Sequence, residues 1–316
     1  MSTPVRLLAF AAALAAVFVL ALVGARTLLP AGSAQAGQDR TGHAENSPSE
    51  QESGMDHTMA ATPSAQHSED SHQEPGQAPA ADPVRGLTVA QDGYQLRALT
   101  APSAVGEDGT LSFRLTGPDG KPVTDYTTAH DKDLHLIVVR SDGSQFRHVH
   151  PSIDGSGTWS IPWRWAAAGS YRVFADFVPA ATGDTLTLTS TLEVAGDLQP
   201  IPLGQDTTES TVDGLTVTLD GAPAAGTSSM LTFTVTRDGT PVTTLQPYLG
   251  AAGHLVALRV GDLAYLHVHP MDEPTGESGP EVAFMAEAPT AGRYLLYLDF
   301  QVDGQVHTAT FTTTAH

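Results

Sequence analysis

The sequence predicts an all-β protein: two tandem β-sandwich domains behind an N-terminal hydrophobic helix and a disordered tether. Three observations predict this. Short runs rich in Val, Leu, Thr, Phe and Tyr alternate with Asp-Gly dipeptides from residue 85 onward. The same blocks of sequence occur twice, once in each half of that region. Before them stand an apolar run and a low-complexity stretch almost free of large apolar side chains.

The chain opens with a short n-region, residues 1–6, that carries Arg6, followed by an apolar run over 7–25. That run is about as long as the ~20 residues that span a bilayer. Ala34-Gln35-Ala36 offers a small-x-small cleavage site. Residues 1–36 therefore read as a signal peptide or as a membrane anchor, and either puts the remainder outside the cytoplasm. Residues 37–84 are rich in Ser, Gln, Glu, Ala, Pro and His. Such a composition buries too little apolar surface to offset chain entropy, so a disordered linker is expected. It carries Met55, His57, Met59, His67 and His72. Thioether and imidazole together resemble a copper-capturing tail, although chance composition accounts for two methionines equally well.

Asp92-Gly93, Asp108-Gly109, Asp119-Gly120, Asp142-Gly143, Asp154-Gly155, Asp213-Gly214, Asp238-Gly239 and Asp303-Gly304 punctuate the rest. Period-2 runs bounded by Asp-Gly are strand and hairpin signals. The repeat sets the boundaries. Leu111-Ser-Phe-Arg-Leu115 corresponds to Leu231-Thr-Phe-Thr-Val235, and Ala168-Gly-Ser-Tyr171 to Ala291-Gly-Arg-Tyr294. Domain 1 is expected over 85–196 and domain 2 over 208–316, with a Pro-containing linker at 197–205. Each is about 110 residues, a comfortable size for one sandwich core.

Lys plus Arg number 15 against 35 Asp plus Glu, a net charge of −20. A surface this acidic argues against nucleic acid as a partner. Cysteine is absent. That excludes disulfides, thiolate metal sites, a cysteine nucleophile and a blue-copper electron-transfer centre. No phosphate-binding Gly loop, nucleophile elbow or His-Glu-x-x-His motif is present, so no enzyme is expected.

The chemistry concentrates in a duplicated histidine pattern. His135-Leu-Ile-Val-Val-Arg140 with His148-Val-His150-Pro151 recurs as His254-Leu-Val-Ala-Leu-Arg259 with His267-Val-His269-Pro270. Neutral imidazole is the commonest metal ligand. Side chains alternate faces along a strand, so His148 shares a face with His150, and His267 with His269. A hairpin through Ser141-Asp-Gly-Ser144 would bring His135 to the first pair. Three imidazoles with one or two open positions suit Cu(II) or Zn(II). Asp176 and Asp299 sit in otherwise apolar strands, as a fourth ligand, as an orienting partner of a ligating His, or as buried ion pairs with Arg140 and Arg259. A solvated strand end before a proline turn is the bland reading of His-Val-His-Pro, and a duplicated gene copies structural residues as well. His130, Asp131, His307 and Met271 are weaker candidates, Met271 as a soft axial ligand. Trp159, Trp163 and Trp165 read as core aromatics.

The His-Leu-x-x-x-Arg, His-x-His-Pro and Ala-Gly-x-Tyr…Asp-Phe motifs resemble a family of exported bacterial proteins with cupredoxin-like or immunoglobulin-like β-sandwich units. Its members are described as secreted, heavy-metal-binding-like proteins. The resemblance covers roughly 85–316 and implies fold and export more than an activity.

The function expected is extracytoplasmic metal binding for buffering, storage or hand-off, with copper as the metal and zinc as the alternative. The expected ligands or their partners are His135, His148, His150, Asp176, His254, His267, His269 and Asp299. Expected partners are metal ions, a metal-transport protein, and the membrane if residues 7–25 stay uncleaved. The alternative is a non-catalytic cell-surface interaction module with structural histidines.

Overall fold

The computed structural model describes residues 85–266, 268–271 and 276–316. The apolar run, the tether with its Met and His residues, and His267 lie outside the described residues. No helix among the described residues is long and apolar enough to cross a membrane.

Domain 1 contains β1 (Ala90–Gln91), β2 (Tyr94–Thr100), β3 (Asp108–Thr116), β4 (Leu134–Arg140), β5 (Arg147–Val149), β6 (Ser152–Ile153), β7 (Thr158–Arg164), β8 (Gly169–Phe177) and β9 (Leu186–Val194). Domain 2 contains β10 (Glu209–Val212), β11 (Leu215–Asp220), β12 (Ser228–Arg237), β13 (Thr240–Pro241), β14 (His254–Arg259), β15 (Tyr265–Leu266), β16 (Val268–Pro270), β17 (Glu281–Glu287), β18 (Gly292–Val302) and β19 (Gln305–Ala315). The protein is all-β, with two tandem sandwiches. Domain 1 stacks the sheet β1-β2-β3-β7-β6 on the sheet β5-β4-β8-β9. Domain 2 stacks β10-β11-β12-β17-β16, with β13 beside β12, on β15-β14-β18-β19.

Turn chemistry places most of the Asp-Gly dipeptides where strands reverse. Asp92 and Gly93 take φ of 52° and 81° between β1 and β2. Asp213-Gly214, Asp238-Gly239 and Asp303-Gly304 likewise have both φ positive, as the two-residue hairpin matching strand twist requires. Asp108-Gly109 departs from this expectation. It opens β3, where Asp108 lies opposite Arg164 of β7 and pairs with its guanidinium at 3.1 Å. The dipeptide that elsewhere turns the chain here lies within the paired stretch of β3 and β7.

Each sandwich has its own core. Leu111, Phe113, Leu115, Leu136, Val138, Tyr171, Val173 and the three tryptophans fill the first. Trp165 donates through Nε1 to the Pro102 carbonyl at 2.7 Å, and Trp159 to the Tyr126 hydroxyl at 3.1 Å. Leu231, Phe233, Leu255, Ala257, Phe284, Leu296 and Phe311 fill the second.

A third cluster lies between the sandwiches. It joins Ile137, Val139 and Phe174 of domain 1 to Val256, Leu258, Leu263, Leu295 and Tyr297 of domain 2. Alternation explains it: Leu136 and Val138 point into the domain 1 core, so Ile137 and Val139 point out of the sandwich. Every residue of β4 is buried as a result. Phe146 stacks on Tyr297 with ring centroids 3.9 Å apart. The outer faces of the two four-stranded sheets therefore meet, and the faces that meet carry the histidines.

Candidate metal centre

His135 occupies the second position of β4, on the face shared with Ile137 and Val139. The β4–β5 register sets His148 opposite Ile137 and Val149 opposite Leu136. Continuing that register brings His150 opposite His135. The three side chains converge as parity predicts. Nδ1 of His135 lies 3.0 Å from Nε2 of His148 and 3.2 Å from Nε2 of His150. The three candidate ligand atoms all lie within 4.8 Å of one another. Metal–nitrogen bonds of 2.0–2.1 Å meeting near tetrahedral or right angles require N···N separations of about 2.9–3.4 Å.

The outer nitrogens of two rings have acceptors. Nε2 of His135 lies 3.1 Å from the Ala129 carbonyl, which a tight turn between Ala129 and Lys132 holds in place. Nδ1 of His148 lies 2.8 Å from Oδ2 of Asp299. A carbonyl and a carboxylate can only accept, so these outer nitrogens carry the hydrogens. In the neutral rings, the inner nitrogens of His135 and His148 are then both lone pairs, 3.0 Å apart. Two facing lone pairs need a cation between them, a proton or a metal ion. Burial, followed by the neighbouring His148, pushes the His135 pKa down to about 3. Burial, His148 and Lys132 do the same to His150, also to about 3. These rings remain neutral at ordinary pH, as ligation requires.

Asp299 belongs to domain 2. In β18 it sits directly opposite His254 of β14, just as Asp176 of β8 sits opposite His135. It reaches across the interface to His148, and the Thr308 hydroxyl donates to its other oxygen at 2.5 Å. Both members of the His148–Asp299 pair have side chains at most 4 % exposed. His254 also joins the first triad. Its ring stacks on His135 at 5.2 Å and 4°, and lies 4.8 Å from the His148 ring. Burial, then His148 and His135, hold its pKa well below the usual histidine value. His130 closes the group, 5.4 Å from His254 and 6.0 Å from His135.

Asp176 accepts from the Thr187 hydroxyl at 2.6 Å, and burial raises its pKa. It lines a cavity of about 150 Å³ together with Arg85, His130, His135, His254 and His269. The arginines of the repeat pair elsewhere: Arg140 with Asp142 and Arg259 with Asp262. His269 stands on β16, which leaves the sheet of β14 and β15 and pairs with β17 of the opposite sheet. Its side chain is exposed, unlike that of its counterpart His150. His307 bonds Asp213 at 2.8 Å and lies opposite Phe300, on the face of β19 turned away from the cluster. The structure thus brings together His130, His135, His148, His150, His254 and Asp299. Two members were hard to read from sequence: the Ala129 carbonyl, and Asp299 acting on the other domain's histidine.

The fold and this histidine cluster define a tandem β-sandwich protein with a candidate metal centre at the junction of its domains. The chain belongs to the family described as a domain of unknown function, DUF8832, whose model matches twice, over residues 88–196 and 210–316. No curated protein matches it. Among solved structures, it is similar to a glycosyl hydrolase family 2 member from Bacteroides cellulosilyticus, at 12% identity and a TM-score of 0.20, covering 69% of this chain and 24% of that one. It is similar to invasin, a bacterial integrin-binding protein, at 13% identity and a TM-score of 0.21, covering 71% of this chain and 39% of that one. Domains 4 and 5 of the S-layer protein SbsC align at 10% identity and a TM-score of 0.23, covering 72% of this chain and 98% of that one.

Proposed function

We propose that the protein is an extracytoplasmic metal-binding protein, and that His135, His148 and His150 ligate one Cu(II) ion, with Zn(II) as the competing occupant. The carrying observation is the convergence of three imidazole nitrogens, two of which, on His135 and His148, are left as inward-facing lone pairs by the partners of their outer nitrogens. Asp299 orients His148 from outside the coordination shell, an arrangement that fixes tautomer and raises ligand basicity. An all-nitrogen set with open positions favours Cu(II) over other divalent first-row ions. The heavy-metal-binding-like resemblance of the His-x-His-Pro motifs agrees with this, and the N-terminal apolar run supports export. Buffering or hand-off suits a centre without cysteine, because it lacks the thiolate of an electron-transfer copper site.

A second reading keeps the histidines structural. The buried His148–Asp299 pair joins the two sandwiches, and a proton on His148 would serve as the cation between the inner nitrogens. Such a protein would be a surface interaction module. Titration of the full chain with Cu(II) and Zn(II) against a competing chelator separates the two. Metal binding predicts that His148→Ala with His150→Ala removes one tight equivalent. Unchanged stoichiometry in that variant overturns the assignment.

A further inference from the structure

All three methionines between residue 85 and the C-terminus fall on one face of one sheet. Met230 lies on β12, Met285 on β17, and Met271 directly follows β16. The register sets Met230 opposite Met285, and Met285 opposite His269. The three residues form a straight row across three neighbouring strands, each about 4.8 Å from the next. Met271 is two residues beyond His269 on the same face, and its amide donates to the Ala283 carbonyl at 2.9 Å. Alternation directs the row outward. Leu231, Phe284 and Ala286 point into the core between these positions. Met230 is 59 % exposed and Met271 52 % exposed, and His269 is exposed as well.

Methionine is ordinarily a gap-filler of buried cores, whereas Met230 and Met271 are exposed and Met285 beside Met230 is half-buried on the outer face. Thioether sulfur is a soft ligand that selects Cu(I) and its chemical relatives, and it never competes with protons. Its unbranched side chain reaches across the strand spacing. Imidazole from His269 completes a mixed sulfur–nitrogen set. His269 also borders the cavity that holds His130, His135 and His254.

We infer that Met230, Met271, Met285 and His269 form a second metal site, a surface platform for a soft monovalent cation of the Cu(I) class. The platform is chemically distinct from the interdomain histidine centre: sulfur-dominated and exposed, where the centre is all-nitrogen and buried. It stands on the sheet register and on exposure, so it survives or fails independently of the histidine centre.

Silver(I) is a redox-inert probe of such a site. The full chain, labelled with ¹³C at the methionine methyls, is titrated with Ag(I), and each resonance is assigned by its Met→Leu variant. The expected result is that the Met230, Met271 and Met285 methyls shift together along one saturation curve. The triple variant M230L/M271L/M285L should lose that binding event, while a His148→Ala, His150→Ala variant keeps it. Leucine conserves volume, so the fold survives the substitutions. Unmoved methyls, three unrelated midpoints, or full Ag(I) binding by the triple variant each overturn the proposal. Response of the Met55 and Met59 methyls alone overturns it too, since binding would then belong to the tether.

Discussion

Asp299 of the second sandwich accepts the Nδ1 hydrogen of His148 of the first at 2.8 Å, with both side chains almost fully buried. The carboxylate leaves Nε2 of His148 as the inward-facing nitrogen. Asp299→Asn keeps the shape and removes the charge. Outer-shell partners of this kind are worth about 10–100-fold in metal affinity. Chelator competition should therefore find Cu(II) held 10–100-fold more weakly by the variant. Equal affinity would mean that His148 does not ligate.

The depressed histidines give stability a definite pH dependence. His135 and His150 titrate near 3 in the folded protein and near 6.5 when unfolded. Between those values the unfolded chain binds protons that the folded chain does not. Stability is thus full above about pH 6.5 and falls as pH drops towards 3. The slope is at most about 1.4 kcal/mol per pH unit for each buried ring, and shallower for the half-buried His150. Urea midpoints at pH 7, 5.5 and 4.5 should decline, and His135→Gln should flatten the decline. A midpoint independent of pH in the parent chain would refute the linkage.

Parity made much of this legible from sequence. It set His148 and His150 on one face and His135 beside them, because the side-chain period of a strand is two and the connecting turn is short. It separated Arg140 from His135 correctly: the arginine pairs with Asp142 on the opposite side. Parity alone could not say which outer face would meet which. The signal lay in Ile137 and Val139, apolar residues on the face that a lone sandwich would turn to water. A strand apolar on both faces is covered on both. What covers it depends on shape complementarity between distant segments, which no local pattern encodes. For that reason the link from Asp299 to His148, and the stacking of His254 on His135, emerge only in three dimensions. Asp108-Gly109 reads as a turn for a related reason: β7, the strand it pairs with, is far away in sequence.

The repeated arginines should differ in their contribution to stability. Arg140 is 2 % exposed, and its guanidinium serves Asp142 and the carbonyls of Ala168 and Gln199. Asp142 also accepts the Ile201 amide at 2.8 Å, tying the linker to domain 1. Burial pushes the Asp142 pKa up, but the bonds from Arg140, Ile201 and Ser144 outweigh it and hold it well below the carboxylate range. Arg140→Ala strands that charge, a loss of about 3–5 kcal/mol for a buried pair. The Arg259–Asp262 side chains are 20 % and 41 % exposed, where a pair contributes about 0–1 kcal/mol. Denaturant unfolding of Arg140→Ala and Arg259→Ala should show that asymmetry. Equal losses would remove burial as its cause.

Gly143 tests whether the sandwiches must be locked together for the centre to form. It has φ of +83°, its carbonyl accepts the Tyr297 hydroxyl at 2.5 Å, and a Cβ there would overlap the Leu295 side chain. Leu295 and Tyr297 lie on β18, the strand that carries Asp299. Gly304 has a similar φ of +76°, yet a Cβ there meets nothing. Gly304→Ala should cost only the left-handed backbone penalty of about 1–2 kcal/mol. Gly143→Ala adds overpacking of about 1–3 kcal/mol against the Leu295 side chain, and because Leu295 is packed in the interdomain cluster, part of the relief is expected from a shift of β18 away from domain 1. Such a shift would withdraw Asp299 from His148. Gly143→Ala should therefore weaken Cu(II) binding as well as lower the melting temperature, while Gly304→Ala lowers the melting temperature alone. Metal affinity unchanged in Gly143→Ala would show that the Leu295 side chain yields while β18 keeps Asp299 in place.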